Sequence, residues 1–134
     1  MIEGISHITF IVRDLDKMEH LLTTILGAKK IYDSGKKTFS LSKERFFDIG
    51  GVWIATMEGQ PLASQTYNHV AFKMGPDDYD HYLAKIKDLG LQVREGRSRV
   101  SGEGQSIYFY DYDNHMFELH SGTLEERLAR YHDS

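Results

Sequence analysis

One short pattern occurs twice in this chain, each time around a histidine. Residues 6–10 read SHITF and residues 68–72 read NHVAF, so that His69 follows His7 by 62 positions. Both copies alternate as a half-buried β-strand does, and in both an amphipathic helical stripe comes next. A repeated order of strand and helix predicts two similar modules that together build one fold.

The first module begins with a strand that the alternation predicts over Ile5–Val12. Asp14 is the predicted N-cap of a helix that runs through Leu26, and Gly27 suits the position just after its end. The remaining strand-like segments of this module lie at 31–32, 38–41, 46–49 and 52–57.

The second module has a strand pattern over 67–74 and then a helix that Pro76-Asp77 opens and Gly90 closes. Two alternating runs follow, on either side of Asp113-Asn114, a dipeptide that accepts the positive φ angles of a tight hairpin. Thr123 begins the capping box of a terminal helix. We expect one domain over 1–134, with modules at about 1–60 and about 66–121 and a helix at about 123–132.

Composition excludes several classes of protein. The 134 residues include no cysteine, which rules out disulfides, thiolate metal ligands and a cysteine nucleophile. A net charge of −4 argues against a general nucleic-acid binder. No apolar run is long enough for a membrane span, and the start lacks the order of a secretion signal. We therefore expect a cytoplasmic protein with no nucleic-acid or membrane partner.

Two histidines and one glutamate form the strongest candidate site. His7 and His69 each lie mid-strand, on the face opposite the aliphatic side chains, and Glu118 points away from its apolar neighbours. If the two modules approach each other, these side chains supply a three-ligand metal site with open positions for substrate or water. Such ligands suit Mn²⁺, Fe²⁺ or Zn²⁺, and ligand type alone does not choose among them.

The other titratable residues have ordinary interpretations. We assign structural or solvent roles to most of the remaining histidines, namely His20, His81, His115 and His132. His120 shares the strand face of Glu118 and stays ambiguous. Nothing in the spacing around Glu44 distinguishes it from an exposed turn residue. Arginines 94, 97 and 99 form either a solvated loop or an anion clamp, because guanidinium groups match phosphonate geometry.

The ending SIYFYD…DNHMFELH, with the paired histidines and Glu118, resembles the vicinal oxygen chelate (glyoxalase/bleomycin-resistance) superfamily. Within it, residues 39–44 (FSLSKE) and 122–128 (GTLEERL) resemble the fosfomycin-resistance enzymes of the FosX hydrolase type. The resemblance covers essentially the whole chain. It implies an α+β fold of paired βαβββ modules, with domain-swapped pairing of modules in a homodimer.

The resemblance also implies roles for particular residues. Mn²⁺ (or another divalent cation) would be bound by His7 of one subunit and by His69 and Glu118 of the other. The hydrolase branch places its general base at Glu44. The phosphonate contacts of the family fall on Ser106, Tyr108 and Arg127, and either Arg97 or Arg99 substitutes for the basic contact that does not align.

The implied chemistry is the addition of water to fosfomycin, a small epoxide that carries a phosphonate. Thr9 lies two residues from His7 on the same strand face, where its hydroxyl would hydrogen-bond the departing epoxide oxygen. Glu44 would deprotonate the water that attacks the phosphonate-bearing carbon, and the product would be a vicinal diol.

Four other functions remain open from the sequence alone. A Mn²⁺-dependent fosfomycin thiol transferase would share the metal site but admit a thiol. An extradiol dioxygenase also uses two histidines and a carboxylate. A glyoxalase would need a fourth protein ligand, for which the sequence offers no clear candidate. A non-catalytic drug-binding protein of the same fold would generally lack the three metal ligands.

Overall fold

The computed structural model describes residues 1–94 and 104–133, which divide into two compact units. The first unit comprises Met1–Gln65 and Tyr112–Asn114, and the second comprises Thr66–Asp111 and His115–Ser134. Each unit contains one four-stranded sheet among its described residues. No helix in the described ranges is both long and apolar enough to cross a membrane.

The first unit has the element order β1 (His7–Val12), α1 (Leu15–Leu26), β2 (Lys29–Asp33), β3 (Glu44–Ile49) and β4 (Val52–Glu58). The strands stand in the order β1-β4-β3-β2, with β1 parallel to β4 and the other pairs antiparallel. Asp14 caps α1 by accepting a hydrogen bond from the Lys17 backbone, and Gly27 ends it at a φ of 63°. Both caps agree with the prediction.

The second unit repeats this arrangement with β5 (His69–Lys73), α2 (Tyr79–Asp88), β6 (Val93–Arg94), β7 (Ser106–Tyr110) and β8 (Met116–His120). Its strands stand in the corresponding order β5-β8-β7-β6. A third helix, α3 (Leu124–His132), follows behind the Thr123 cap. The two matching sheets confirm the α+β class and the repeated strand–helix module.

Two of the strand segments differ from the prediction. Residues 38–41 form no strand, and Phe39 and Leu41 are exposed. The reason is that Ser34 and Glu44 close the loop that contains these residues: the Ser34 amide donates to the Glu44 carbonyl, and the Glu44 amide donates to Ser34 Oγ. Strand β3 therefore begins at Glu44. The short strand β6 was not predicted at all, because two residues carry no alternation.

Helix α2 begins at Tyr79, later than predicted. The Asp78 amide donates to the Gly75 carbonyl, so the residues around Pro76 form a turn before the helix. Gly90 follows the helix end at a φ of 70°, as expected. Asn114 likewise takes the expected left-handed conformation, with a φ of 69°.

The core of the second unit is built on the sheet face that packs against α2, and Phe117 is fully buried there. Its ring lies 5.6 Å from that of Phe109 and 6.4 Å from that of Phe72, centroid to centroid. Glu118 is the next residue on the same strand and so points to the other face. The buried aromatic layer therefore fixes which way Glu118 faces.

We expect Phe117→Ala to lower the free energy of unfolding by about 3–5 kcal/mol, because it leaves a cavity that neighbouring rings cannot fill. Chemical denaturation measures this change. Phe39→Ala is the matched control, since Phe39 is 71% exposed, and it should change stability by less than about 0.5 kcal/mol. A loss below about 1 kcal/mol for Phe117→Ala would contradict the described core.

Candidate metal centre

His69 opens β5 with its ring held in one tautomer. Its Nδ1 lies 2.7 Å from the Tyr67 carbonyl oxygen, and a carbonyl only accepts hydrogen bonds. Nδ1 therefore carries a proton, which leaves Nε2 as the nitrogen that can bind a cation. A histidine whose other nitrogen donates to a backbone carbonyl is the usual form of a metal ligand.

The His69 Nε2 atom faces Glu118 across 3.0 Å, measured to Oε1. A nitrogen lone pair and a carboxylate oxygen repel each other unless a proton or a cation lies between them. The distance fits a cation, because two bonds of about 2.1 Å at a right angle place their donor atoms about 3.0 Å apart. The described part of the chain contains no group of three or more His, Asp or Glu side chains spaced to hold a metal. His69 and Glu118 thus form a two-residue donor set.

Glu118 is buried, although its carboxylate lies on the polar face of the sheet. Ser106 Oγ donates to its Oε2 over 2.6 Å, and His120 Nδ1 lies 3.4 Å from the same oxygen. Buried carboxylates require such partners because an unpaired charge is costly away from water. Oε2 is held by protein groups, and Oε1 is directed toward His69.

Tyr108 completes the polar face beside Glu118, with which it pairs in the β7–β8 ladder. Tyr67 donates to the Tyr108 hydroxyl over 3.2 Å. Burial, together with the Tyr67 hydroxyl and the nearby Glu118 carboxylate, raises the pKa of Tyr108. The phenol therefore stays protonated and can donate a hydrogen bond to an anion. The Arg94 guanidinium stacks over the Tyr67 ring at 4.8 Å.

His7 lies on the corresponding face of the first unit's sheet, beside a row of aromatic rings. Its ring centroid is 4.2 Å from Trp53, whose ring meets Phe46 edge-on at 5.2 Å, and Phe46 lies 5.1 Å from Tyr32. The His7 Nδ1 atom is 3.0 Å from Ser6 Oγ. This face therefore combines an imidazole with an apolar aromatic wall.

Thr9 and Glu44 share the sheet face of His7. Thr9 pairs with Ala55, and Glu44 pairs with Met57, two residues further along β4. Arg45, the next residue, points to the other face, where it binds Asp16 of α1 at 2.7 Å. Glu44 is buried, at 8% exposure, whereas the sequence favoured an exposed turn.

The two sheets can be superposed strand by strand because their registers correspond. Glu44 pairs with Met57 as Ser106 pairs with His120. Ala55 pairs with Thr9 in the first sheet, and Glu118 pairs with Ala71 at the corresponding place in the second. The first unit therefore has an alanine at the position that Glu118 occupies in the second. Glu44, the predicted general base, thus occupies the position that corresponds to Ser106, the residue that donates to Glu118.

The arginine predictions have different outcomes. Arg97 and Arg99 lie outside the described residues, so both stay predictions. Arg127 lies in the first turn of α3, and its guanidinium is 3.4 Å from His120 Nε2. Arg127 is therefore adjacent to the hydrogen-bonded group that surrounds Glu118.

Sequence reasoning missed two residues of these faces and left a third ambiguous. Tyr67 and Trp53 were given no role, although aligning the two modules strand by strand would have put Trp53 in the row of His7. The role of His120 was left ambiguous. The sequence feature that could have identified it is its position two residues after Glu118, which puts both side chains on the same face of the strand. Only the side-chain positions show that it contacts both Ser106 and Glu118.

Comparison with known proteins gives consistent relatives. The family model of the Glyoxalase/Bleomycin resistance protein/Dioxygenase superfamily matches residues 4–119. The fosfomycin resistance protein FosX of Listeria innocua is 59% identical over 132 residues, which is 98% of this chain and 99% of that protein. A more distant relative, the metallothiol transferase FosB of Staphylococcus haemolyticus, is 33% identical over 100% of this chain and 94% of its own length.

Solved structures of FosX from Listeria monocytogenes have the same fold. One, complexed with Mn(II) and sulfate, matches with a TM-score of 0.90 and 55% identity, covering 98% of this chain and 100% of that one. A mutant of the same protein, complexed with Mn(II) and 1S,2S-dihydroxypropylphosphonic acid, matches with a TM-score of 0.89, 54% identity and the same coverage. The chain therefore belongs to the glyoxalase/bleomycin resistance protein/dioxygenase superfamily and, within it, to the FosX family of fosfomycin resistance proteins.

Proposed function

We propose that this protein is a Mn²⁺-dependent epoxide hydrolase that inactivates fosfomycin by adding water to its phosphonate-bearing epoxide carbon. The observation that carries the proposal is the convergence of His69 Nε2 and Glu118 Oε1 at 3.0 Å, in a chain 54–55% identical to FosX structures that bind Mn(II). Hydration of an epoxypropylphosphonate gives a dihydroxypropylphosphonate, the class of compound bound in one of those structures.

His69 and Glu118 would hold the cation, joined by His7. Bound Mn²⁺ supplies Lewis-acid stabilisation of the charge that develops on the epoxide oxygen as the ring opens. The hydrogen bond from His69 Nδ1 to the Tyr67 carbonyl keeps the ring in the ligating tautomer before any cation arrives. This ligand is therefore already oriented when the cation binds.

The phosphonate of fosfomycin would be bound on the second unit's polar face. Tyr108 offers a phenol that stays protonated, because burial raises its pKa. Arg127 supplies a guanidinium, which matches the geometry of a phosphonate. Either Arg97 or Arg99 remains part of this proposed set. Ser106 was also predicted to contact the phosphonate, but its hydroxyl proton is donated to Glu118 Oε2, so its part is to hold that carboxylate. Fixing the phosphonate orients the ring carbon and so lowers the entropic part of the barrier.

Glu44 would act as the general base, and Thr9 would donate to the leaving oxygen. Burial of the Glu44 side chain excludes bulk water and favours a single orientation for one attacking molecule. Proton transfer from that water to the Glu44 carboxylate accompanies its attack on the ring carbon. The epoxide C–O bond would break as the new C–O bond forms. The ring oxygen would take up a proton from solvent to complete the diol, and Glu44 would release its proton to solvent and return to the carboxylate.

The proposal includes a domain-swapped homodimer in which the partner subunit's His7 completes each site. Two observations support a second copy. Helix α3 has no buried residue, and Leu124, Leu128 and Tyr131 are 67%, 45% and 52% exposed. Trp53, beside His7, is 38% exposed. Large apolar side chains on a regular face indicate a contact surface. A cytoplasmic location is also part of the proposal and is testable by cell fractionation.

Mixing two inactive variants tests the swapped arrangement. His7→Ala and His69→Ala should each be inactive alone. In a heterodimer of the two variants, one site contains both substitutions and the other contains neither, because each site takes residue 7 from one chain and residue 69 from the other. Random re-association after co-expression should therefore restore about a quarter of wild-type activity. If each site were built within one chain, every site would keep one lesion, and no activity would return.

The reaction itself is tested by phosphorus NMR of fosfomycin incubated with the protein and Mn²⁺, with and without a low-molecular-weight thiol. The proposal predicts the diol in thiol-free buffer. The second candidate is a thiol transferase, which the 33% identity to a metallothiol transferase favours. It predicts no reaction until thiol is added and then a thioether product. Unchanged fosfomycin in both samples would contradict the two functions alike.

A further inference from the structure

A chain of hydrogen bonds supports Glu118 from its second oxygen. Ser106 Oγ lies 2.6 Å from Glu118 Oε2, and His120 Nδ1 lies 2.7 Å from the same Ser106 oxygen. Arg127 approaches the other side of the His120 ring, with its terminal nitrogen 3.4 Å from Nε2. The proposed function gives His120 no part, although its ring is central to this chain.

The direction of every bond follows from the chemistry of the two ends. The Glu118 carboxylate only accepts, so the Ser106 hydroxyl must donate to it. The Ser106 oxygen is then an acceptor toward His120, whose Nδ1 must carry a proton. Arg127 only donates, so Nε2 accepts. The four groups form one continuous sequence from Arg127 through His120 and Ser106 to Glu118.

The same geometry argues against a nucleophilic serine. In a catalytic triad the serine and the carboxylate bind different nitrogens of the histidine, so that the ring can pass a proton between its two sides. Here Ser106 and Glu118 both approach Nδ1, at 2.7 Å and 3.4 Å. The ring therefore orients the hydroxyl but does not relay its proton. The arrangement is that of a support for the carboxylate.

Regular strands hold the group rigidly. Ser106 is paired with His120 in the β7–β8 ladder, and Glu118 lies two residues from His120 on the same strand face. The side chains of His120 and Glu118 are only 16% and 7% exposed. Groups placed on paired strands keep their geometry better than groups on loops.

We propose that His120 is a positioning residue for the metal ligand Glu118. By holding Ser106 in the orientation that donates to Oε2, His120 leaves Oε1 directed at the cation position beside His69. It also connects this ligand to Arg127, a proposed phosphonate contact. The inference rests on the metal site of the proposed function and adds a residue to it. Substituting a residue that hydrogen-bonds to a metal ligand typically lowers metal affinity by about 10- to 100-fold.

Two substitutions at His120 separate a positioning role from simple packing. In His120→Asn the amide nitrogen takes approximately the place of Nδ1 and retains a donor for Ser106. In His120→Gln the terminal amide lies near the former Nε2 and loses that donor. Ser106→Ala breaks the same connection from the other side, and His20→Asn, at an exposed position of α1, is the control.

The readout is Mn²⁺ affinity by isothermal titration calorimetry without fosfomycin, alongside thermal unfolding of the metal-free proteins. We expect His120→Gln and Ser106→Ala to weaken Mn²⁺ binding by about 10- to 100-fold. The Mn²⁺ affinity of His120→Asn should stay within about threefold of the wild-type value, because this variant retains the hydrogen bond to Ser106. The double variant Ser106→Ala/His120→Gln should be no weaker than Ser106→Ala, because both changes break one connection.

Folded His120→Gln and Ser106→Ala proteins that bind Mn²⁺ like wild type would overturn the inference. Equal loss in His120→Asn and His120→Gln would also overturn it, because the ring and not the Nδ1 donor would then matter. If His120→Gln fails to fold, Ser106→Ala decides alone. Wild-type protein that binds Mn²⁺ but leaves fosfomycin intact would contradict the proposed function and leave this inference standing.

Discussion

Glu44→Gln should retain the fold and the metal but lose fosfomycin hydrolysis, with kcat falling by about 10²- to 10⁴-fold. The amide has almost the same shape as the carboxylate and cannot accept the proton of the attacking water. Because Glu44 is proposed to act on water and not on fosfomycin, KM should change little. Phosphorus NMR under Mn²⁺ saturation measures diol formation, and calorimetry confirms that Mn²⁺ binds.

Glu58→Gln is the matched control for this experiment. Glu58 ends β4 and forms a 3.5 Å ion pair with Lys43, in which each side chain is 43% exposed. Losing an ion pair this exposed should change the free energy of unfolding little. A Glu58→Gln protein should therefore hydrolyse fosfomycin at nearly the wild-type rate. Wild-type diol formation by a folded, Mn²⁺-loaded Glu44→Gln protein would remove Glu44 from the mechanism.

His69→Ala should weaken Mn²⁺ binding by more than about 100-fold, and hydrolysis should fall with it. The expected loss exceeds the 10- to 100-fold typical of outer partners, because the substitution removes a donor atom itself. It also leaves the buried Glu118 carboxylate without its 3.0 Å partner. Calorimetry for affinity and elemental analysis of the purified protein for bound metal measure the effect.

His20→Ala controls for the loss of a histidine as such. His20 is exposed on α1, and we expect its substitution to leave the metal content unchanged. One Mn²⁺ per chain at wild-type affinity in His69→Ala would rule out His69 as a ligand. A decrease in metal content that appeared equally in both variants would point to general destabilisation instead.

The period of the strands explains why much of the fold was predictable. Alternation alone placed His7 and Glu118 on faces opposite Phe10 and Phe117, and the structure buries both phenylalanines. The caps of α1 were also readable, because Asp14 and Gly27 satisfy orphan backbone groups at fixed positions. Local chemistry decides these features, so local sequence indicates them.

Other features depend on contacts between distant residues and could not be predicted. Residues 38–41 alternate like a strand, but the Ser34–Glu44 hydrogen bonds enclose them in a loop. Burial of Glu44 follows from the face that it takes in β3, and this face depends on the pairing of Glu44 with Met57 in the β3–β4 ladder. The support of Glu118 by His120 requires the β7–β8 register, which brings Ser106 opposite His120.

Anomalous diffraction from crystals of the Mn²⁺-loaded protein would locate the metal relative to His69 and Glu118. We expect one manganese peak for each chain, about 2.2 Å from His69 Nε2 and Glu118 Oε1, with the imidazole of the partner subunit's His7 as the third protein ligand. A manganese peak that is not bound by both His69 and Glu118 would contradict the proposed metal site.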